Sequence, residues 1–273
     1  MSSIIDTLIE ERADGLRRHP TLWRAVQRYV YPLLGYQAAI DLVDAVQGLS
    51  GYAVFEHVSQ RLKLDVKVSG LEFVPTQGRA VVMPNHPTGI ADGIAVFDAL
   101  KQRRPDVIFF ANRDAVRCQP SLAEIIIPVE WMEDRRTHGK RKETVRNMLQ
   151  AFRDDRLIVI FASGRLARPT LRGLVERPWL ESGVSLAQKY ACPIIPMHIE
   201  ANNSALFYLL WFLNTELKDM TLFRELLNKT HHLYRLQIAA PVTTRMPAAQ
   251  LTPALRTFVT RDLRRGKTHF NVP

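Results

Sequence analysis

Short apolar runs alternate with longer amphipathic stretches from about residue 66 onward. Most of the runs are continuous, rich in β-branched residues and bounded by turn-forming residues, which is typical of strands buried on both faces. These runs are RAVVMPN, DVIFFAN, EIIIPVE, RLIVIFA and CPIIPMHIE. LDVKVSG alternates polar and apolar residues and predicts an edge strand, whereas YRLQIAAPV predicts a late strand with one polar face.

Helical patterns lie between several of these predicted strands, at about 90–103, 139–154 and 179–190. Strands that alternate with helices predict an α/β fold, here a mixed, largely parallel sheet flanked by helices. Residues 1–65 space their apolar positions by threes and fours, which predicts an N-terminal helical layer, packed on the domain or lying in a membrane interface. We therefore predict three segments: this layer at 1–65, a main domain at 66–245, and a C-terminal tail or helix packed on the domain at 246–273.

Polar residues follow four of the predicted strands, in the segments PNHPTG, ANRDAVR, FASGRLARP and PMHIEANN. In a parallel sheet, ligands and chemistry collect where strands end and helices begin. We therefore expect these four segments to converge on one edge of the sheet.

The first of these segments places His86 at the end of a buried strand and Asp92 six residues later. On one continuous helix the two side chains would point to different faces, so contact requires a break, which Pro87 and Gly89 allow. A carboxylate bonded to one ring nitrogen fixes the tautomer of an imidazole and leaves the other nitrogen to accept a proton. The pair can thus serve as a general base for a hydroxyl that attacks an acyl carbon. The structural alternative is a surface pair or a helix cap.

At these residues the chain resembles the glycerolipid acyltransferase family, which includes the lysophosphatidic acid acyltransferases. Asn85, His86 and Asp92 match the Asn-His and aspartate motif of the family, in the variant with five residues between His and Asp. FFANRDAVRCQP, IVIFASGRLARP and CPIIPMHIE occupy the second, third and fourth blocks in the family's order. The resemblance covers roughly residues 68–215.

The resemblance implies an O-acyltransferase of phospholipid or membrane-lipid biosynthesis, similar to the 1-acylglycerol-3-phosphate acyltransferases. The fatty acyl group would leave an acyl thioester, on coenzyme A or acyl carrier protein, for a hydroxyl of a lysolipid or glycerolipid-like acceptor. His86 would be the general base and Asp92 its orienting partner, with Asn85 at the substrate. Arg113 would bind the anionic headgroup of the acceptor, with Arg117 as a second candidate.

The third block departs from the family pattern of Phe-Pro-Glu-Gly followed by Thr-Arg. Ser163 stands at the glutamate, Gly164 is kept, Arg165 replaces the threonine and Leu166 the arginine. We still expect Ser163, Gly164 and Arg165 to bind substrate, because glycine lets backbone N–H groups approach a phosphate and arginine is a forked, charged donor. These changes resemble the hemolysin-like and ornithine-lipid-forming branch, so lysophosphatidic acid is one of several candidate acceptors. A lipid-binding homologue that has lost transfer is the alternative.

Lysine and arginine outnumber aspartate and glutamate by 37 to 27, which gives a net charge of +10 and favours anionic partners. The basic segment RRTHGKRKET at 135–144 predicts contact with lipid headgroups, coenzyme A phosphates or an acidic carrier protein, or an ordinary solvated helix start. ALFYLLWFLN at 205–214 predicts part of an acyl-chain pocket, a membrane-contact helix or ordinary core. No nucleic-acid-binding motif is visible, so we expect no nucleic acid partner.

No apolar run approaches the roughly 18 residues that a membrane-spanning helix needs, and the first residues lack the layout of a signal peptide. Two cysteines, Cys118 and Cys192, suggest free thiols in a reducing compartment. No Cys/His cluster has zinc spacing, and we expect no metal and no cofactor besides the acyl-CoA or acyl carrier protein co-substrate. We predict a cytoplasmic protein that is peripheral on the inner face of the cell membrane, with an anionic membrane surface as a partner.

Overall fold

The fold is described from a computed structural model that covers residues 3–130, 135, 137–171 and 173–271. The helices are α1 (Ile4–Glu11), α2 (Asp14–Arg17), α3 (Pro20–Ala25), α4 (Tyr36–Ala45), α5 (Gly51–Leu62), α6 (Ile90–Leu100), α7 (Asp114–Cys118), α8 (His138–Arg153), α9 (Ser182–Lys189), α10 (Ala205–Leu213), α11 (Thr215–Met220), α12 (Leu222–Leu227) and α13 (Ala248–Thr257). The strands are β1 (Asp65–Ser69), β2 (Ala80–Pro84), β3 (Ile108–Asn112), β4 (Ile126–Val129), β5 (Leu157–Ile160), β6 (Arg168–Thr170), β7 (Gly173–Val175), β8 (Ile194–Glu200) and β9 (Leu233–Ile238).

Seven strands form one sheet in the order β1-β9-β8-β2-β5-β3-β4. The five strands from β8 to β4 run parallel to each other. Strand β9 is antiparallel to β8 and parallel to the edge strand β1, and β6 and β7 form a separate antiparallel hairpin. The mixed, largely parallel sheet flanked by helices confirms the predicted fold class.

All seven predicted strands are present, and the apolar run EIIIPVE is buried as predicted. EIIIPVE forms β4, which is an edge strand and not an interior one. Its apolar residues Ile126 and Ile127 are nevertheless buried, because α8 and the turn at Pro120–Glu124 cover its faces. A continuous apolar run therefore reports burial of both faces and not a central position in the sheet.

Successive residues of β2 enter opposite layers of the molecule, because side chains alternate along a strand. Ala80 and Val82 join a core that includes residues of α4, α5 and α6. Val81 and Met83 join a second core with residues of α8, α9 and α13. Part of the N-terminal segment thus packs directly on the sheet, while the division into three segments stays a prediction.

A third apolar cluster joins the N-terminal residues Ile5, Ile9 and Tyr31 to Met220 of α11. Helix α1 carries a capping box, in which Ser3 Oγ accepts the Asp6 N–H and Asp6 accepts the Ser3 N–H. Within the described residues, no helix is long and apolar enough to cross a bilayer. Cys118 and Cys192 are both unpaired, as predicted.

His198, on the buried strand β8, links the stability of the fold to pH. Burial lowers its pKa to about 4, and the charge of Arg264 acts in the same direction while Glu200 opposes it. The unfolded chain binds a proton below about pH 6.5, whereas the folded chain does so only near pH 4, so stability is lost as pH falls between these values. We expect the free energy of unfolding to drop by about 2 kcal/mol from this residue between pH 7 and pH 4.5. Urea unfolding at both pH values should show a shallower dependence in His198→Gln than in the wild type. The exposed His138→Gln is the control and should leave the dependence unchanged.

Candidate active site

The turn between β2 and α6 brings His86 and Asp92 together. Strand β2 ends at Pro84 and α6 begins at Ile90, so the chain changes direction between the two side chains. Gly89 has a φ of +99°, and a Cβ there would lie 3.2 Å from Leu166 Cδ2, so the bend needs a glycine. The predicted break between His86 and Asp92 is confirmed.

Asp92 holds the imidazole of His86 by a hydrogen bond of 2.9 Å between Oδ2 and Nδ1. The carboxylate is fully buried, and Oδ2 also accepts the N–H groups of Thr88 and Gly89 at 2.9 Å each. An ionised carboxylate can only accept, so Nδ1 of the neutral ring carries the proton and Nε2 keeps its lone pair. The predicted contact is thus confirmed, whereas the catalytic roles of the two residues stay predictions.

A buried hydroxyl chain supports the carboxylate from behind. Thr88 Oγ1 donates to Asp92 Oδ1, and the Tyr234 hydroxyl lies 2.8 Å from Thr88 Oγ1, placed to donate to it. Burial raises the pKa of Tyr234, so this hydroxyl keeps its proton. The Asn203 amide donates to the Thr88 carbonyl oxygen at 3.2 Å. No sequence pattern pointed to Tyr234, which is 146 residues from Thr88 and is brought next to it by the sheet.

The ring of His86 forms part of the wall of a cavity of about 1610 Å³. Its centroid lies 4.2 Å from that of Phe161, with the planes inclined by 31°, so the ring packs on an apolar face. Its side chain is 19% exposed, and no hydrogen bond from residues 3–130, 137–171 or 173–271 reaches Nε2. A hydroxyl group in the cavity can therefore approach the free nitrogen.

Much of the remaining wall is apolar and comes from the N-terminal helices. Helices α1, α4 and α5, together with β3, contribute Leu8, Ile9, Leu42, Val43, Val54, Phe55, Val58 and Phe109. Trp211 is the single residue of α10 that lines the cavity, so most of the apolar segment predicted as an acyl-chain pocket or membrane helix lies elsewhere.

Three arginines of the cavity wall, which we call the cavity cations, are Arg141, Arg165 and Arg177. Arg141 and Arg165 are exposed, and Arg177 has a buried Nε without a hydrogen-bond partner. No ion pair joins any of them to a carboxylate in the described part of the chain. These guanidinium groups are free to bind an anion. The sequence pointed to Arg165 and, within the basic segment at 135–144, to Arg141, but it missed Arg177.

Arg113 and Arg117, the other predicted anion binders, are engaged within the protein and do not line the cavity. Arg113 Nη1 is 2.6 Å from Glu143 Oε2 on α8. Arg117 forms two bonds to Glu11 on α1, at 2.7 and 2.8 Å, and one to Asp114 at 2.9 Å. The bond from Arg117 holds the pKa of Glu11 at about 2. Substrate binding by these two arginines stays a prediction, and their ion pairs favour a structural role.

The remaining predicted site residues divide between the cavity and the core. Gly164 and Arg165 line the cavity, but the Gly164 N–H donates to the Phe161 carbonyl at 2.9 Å and closes a turn with φ of +59°. Ser163 is buried and donates to the Arg165 carbonyl at 2.8 Å. Asn85 is buried and bridges β2 to β8, because its amide bonds both the N–H and the carbonyl of Ile199. Substrate contacts of Asn85 and Ser163 stay predictions, and these bonds favour a structural role for both.

The basic segment at 135–144 is also partly engaged within the protein. Arg135 pairs with Glu11, and Lys140 pairs with Glu130 at 2.8 Å. Thr137 caps α8 by accepting the Lys140 N–H. Arg136 lies outside the described residues. Of this segment, Lys140, Arg141 and Thr144 line the cavity. Of the two cations among them, Lys140 is paired, and Arg141 has no ion pair within the described residues.

Glu176 is a buried acid next to His86 that the sequence interpretation missed. Its Oε2 accepts the backbone N–H of His86 at 3.1 Å, and its Oε1 accepts the indole N–H of Trp179 at 3.1 Å. Burial raises the pKa of Glu176, and the bond from the His86 N–H opposes the rise. The residue follows the β6–β7 hairpin, which had no strand pattern, so its position could not be predicted.

The fold and the site together define an α/β protein whose His–Asp pair opens into a large, mainly apolar cavity with free arginines. Residues 65–200 match the profile of the family described as Acyltransferase. Through this region the chain belongs to the glycerolipid acyltransferase family, as the resemblance of its motifs implied.

Two similar proteins carry the name lyso-glycine lipid O-acyltransferase. The one from Phocaeicola vulgatus is 23% identical over 210 residues, which cover 75% of this chain and 74% of the relative. The one from Bacteroides thetaiotaomicron is 23% identical over 159 residues, which cover 58% of this chain and 56% of the relative. The crystal structure of the 1-acyl-sn-glycerophosphate (LPA) acyltransferase PlsC from Thermotoga maritima aligns with a TM-score of 0.51 and 14% identity, over 89% of this chain and 95% of that one. This last likeness concerns the fold alone.

Proposed function

We propose that the protein transfers a fatty acyl group from an acyl thioester to the hydroxyl group of a lysolipid-type acceptor. The observation that carries this proposal is the ring of His86, held by Asp92 on one side and open to the cavity through Nε2. The names of the two lyso-glycine lipid O-acyltransferases support an oxygen acceptor on a lysolipid.

In the proposed reaction, Nε2 of His86 takes the proton of the acceptor hydroxyl while its oxygen attacks the thioester carbonyl carbon. The tetrahedral intermediate collapses, the carbon–sulfur bond breaks, and the thiolate of coenzyme A or acyl carrier protein takes the proton back from the imidazolium. The Asp92 carboxylate stabilises the positively charged ring between these two proton transfers. The acyl group moves directly from donor to acceptor, so the reaction needs no acyl-enzyme intermediate, metal or covalent cofactor.

The size and the lining of the cavity suit two lipid-like substrates. Its volume of about 1610 Å³ exceeds the roughly 300–1,000 Å³ of an ordinary small-molecule pocket. The apolar wall from α1, α4 and α5 can hold an acyl chain, and the cavity cations can hold the anionic group of an acceptor. A phosphate and a glycine carboxylate are both anions, so these arginines suit either kind of headgroup.

A panel of donors and acceptors tests the proposal. Purified protein is incubated with acyl-CoA or acyl carrier protein thioesters, each with lysophosphatidic acid or a lyso-glycine lipid, and products are measured by mass spectrometry. We expect one donor–acceptor pair to yield a diacylated lipid. Tight binding of lysolipid without product for any thioester would instead support a lipid-binding homologue, which the altered third block favours.

Removal of a cavity cation should weaken acceptor binding more than it slows turnover. We expect Arg165→Ala to raise the KM for an anionic lysolipid by about tenfold and to leave kcat within about twofold, because a charged hydrogen bond to the headgroup is lost. Steady-state kinetics with the best acceptor measures both constants. Lys142→Ala, at an exposed residue of α8 outside the cavity, is the control. An equal fall of kcat and kcat/KM would place Arg165 at the reacting centre and contradict a binding role.

We further propose that the protein acts in membrane-lipid biosynthesis on the inner face of the cell membrane, as a peripheral cytoplasmic protein. The net charge of +10 supports attraction to anionic lipids. Sedimentation with anionic liposomes and release at high salt is the expected behaviour, and indifference to lipid charge would contradict it.

A further inference from the structure

Helix α10 is apolar on every side and yet lies largely at the surface. Its sequence ALFYLLWFL contains no charged residue, and only Phe207 is fully buried among its large side chains. Leu209, Phe212 and Leu213 are 55%, 68% and 69% exposed. A helix that is apolar all round normally lies in a protein core or in lipid, so these exposed side chains call for a partner.

The β6–β7 hairpin presents a second apolar element at the same place. Leu171, beside the turn of the hairpin, is completely exposed, at 107% of its reference surface. The hairpin and α10 meet in a shallow groove, which is lined by Arg168, Pro169, Thr170, Leu171, Trp211 and Phe212. Two elements that are 30 residues apart in sequence, from Val175 to Ala205, therefore expose one common apolar surface.

The charged residues in the sequence of the hairpin are all basic. Residues 168–175, RPTLRGLV, contain two arginines and no carboxylate, and α10 has no charge at all. Arg165 and Arg168 are exposed, and no side-chain ion pair joins Arg168 to the described residues. Apolar side chains flanked by arginines fit an anionic bilayer, in which the apolar groups enter the acyl region and the guanidinium groups meet phosphates.

The groove is also continuous with the site. Trp211 lines both the groove and the large cavity, and Leu180, 55% exposed, lines the cavity as well. A lipid bound at this surface would therefore lie beside the cavity that contains His86.

We propose that the β6–β7 hairpin and α10 form the membrane-docking surface, with Leu171, Leu209, Phe212 and Leu213 inserted into an anionic phospholipid bilayer. The proposal rests on the proposed function in one respect, which is that the substrates of the protein are lipids. The N-terminal segment, with Tyr29 67% and Leu33 65% exposed, is the rival surface on the chain.

Paired variants distinguish the two surfaces. Full-length Leu171→Ser/Phe212→Ser and Tyr29→Ser/Leu33→Ser each replace two strongly exposed side chains, so both should fold. We expect the first variant to bind vesicles of phosphatidylcholine with 30% phosphatidylglycerol at least ~10-fold more weakly than the wild type, because two inserted apolar side chains are lost. The second variant should bind within about twofold of the wild type. Co-sedimentation over a range of lipid concentrations gives both partition coefficients.

Three outcomes would overturn the docking surface. These are unchanged binding of Leu171→Ser/Phe212→Ser, loss of binding in Tyr29→Ser/Leu33→Ser alone, and a wild-type dimer that Leu171→Ser/Phe212→Ser converts to monomer in light scattering. The last outcome would mean that a second copy of the chain covers the surface.

An activity measurement separates the docking surface from the proposed function. Transfer to a short-chain, monomeric lysolipid should be equal in wild type and Leu171→Ser/Phe212→Ser. Absence of that transfer in the wild type would reject the proposed function, while the binding result would still decide the docking surface.

Discussion

Replacement of His86 by alanine is expected to lower acyl transfer at least ~100-fold, the loss typical of a removed general base. The imidazole contacts Asp92 through Nδ1 and lines the cavity with Nε2 free of hydrogen bonds from the described residues. The backbone of His86 bonds Glu176 and Ala167 independently of the ring, so the fold should persist. Initial rates with the best donor–acceptor pair measure the loss, and circular dichroism with thermal unfolding reports on folding.

The variant also separates general-base catalysis from simple substrate binding. His86→Ala should keep the affinity for the lysolipid within a few fold, because the cavity cations and the apolar wall are untouched. A folded His86→Ala protein with near-normal turnover would remove the proposed role of the histidine. A folded protein that has lost lysolipid affinity together with turnover would show that the ring binds the substrate instead.

Asp92→Asn is expected to reduce both activity and stability. The amide can turn its NH₂ group toward Nδ1 and select the wrong tautomer of His86, a change that costs about 10⁴ in the kcat of a serine protease triad. We expect a loss of roughly 100- to 10,000-fold in kcat on this ground. The buried amide also cannot accept from all the donors that surround Asp92, so the free energy of unfolding should fall by about 1–3 kcal/mol.

Asp98 provides the matched control for this variant. It lies on the same helix, accepts from Ser59 Oγ at 2.6 Å and pairs with Lys101 at 2.8 Å, away from the cavity. Asp98→Asn should lower stability and leave kcat unchanged, whereas Asp92→Asn should lower both quantities. Equal kcat values in the two variants would show that Asp92 is only a cap of α6. Urea titrations and steady-state rates on the same preparations make the comparison.

The strands and the His–Asp contact could be predicted because both depend on local sequence. A continuous apolar run reports burial, and the segment from Pro84 to Asp92 contains the proline and glycine that make the bend. The edge position of β4 could not be predicted, since its cover comes from α8 and a turn that the run itself does not contain. The network behind Asp92 was equally hidden, because Tyr234 belongs to β9 on the far side of β8.

Which arginine is free could not be predicted from the motif blocks. Arg117 sits in a matching block, but its carboxylate partner Glu11 is 106 residues away on α1. Arg113 likewise pairs with Glu143, 30 residues further on. Arg141 and Arg177 lie outside the blocks, and the fold turns them toward the cavity. A sequence motif thus indicates residue type at a strand end, whereas the availability of a charge depends on the whole fold.

The apolar wall of the cavity has a consequence for related proteins. Its side chains on α1, α4 and α5 precede residue 65, where the match to the family begins. On the proposed function, the N-terminal stretch therefore takes part in acyl-chain selection, together with cavity residues of the matched region such as Phe109 and Phe161. Homologues with the same catalytic blocks can differ in the fatty acid that they handle, and exchange of the first 62 residues between two of them should shift that selectivity.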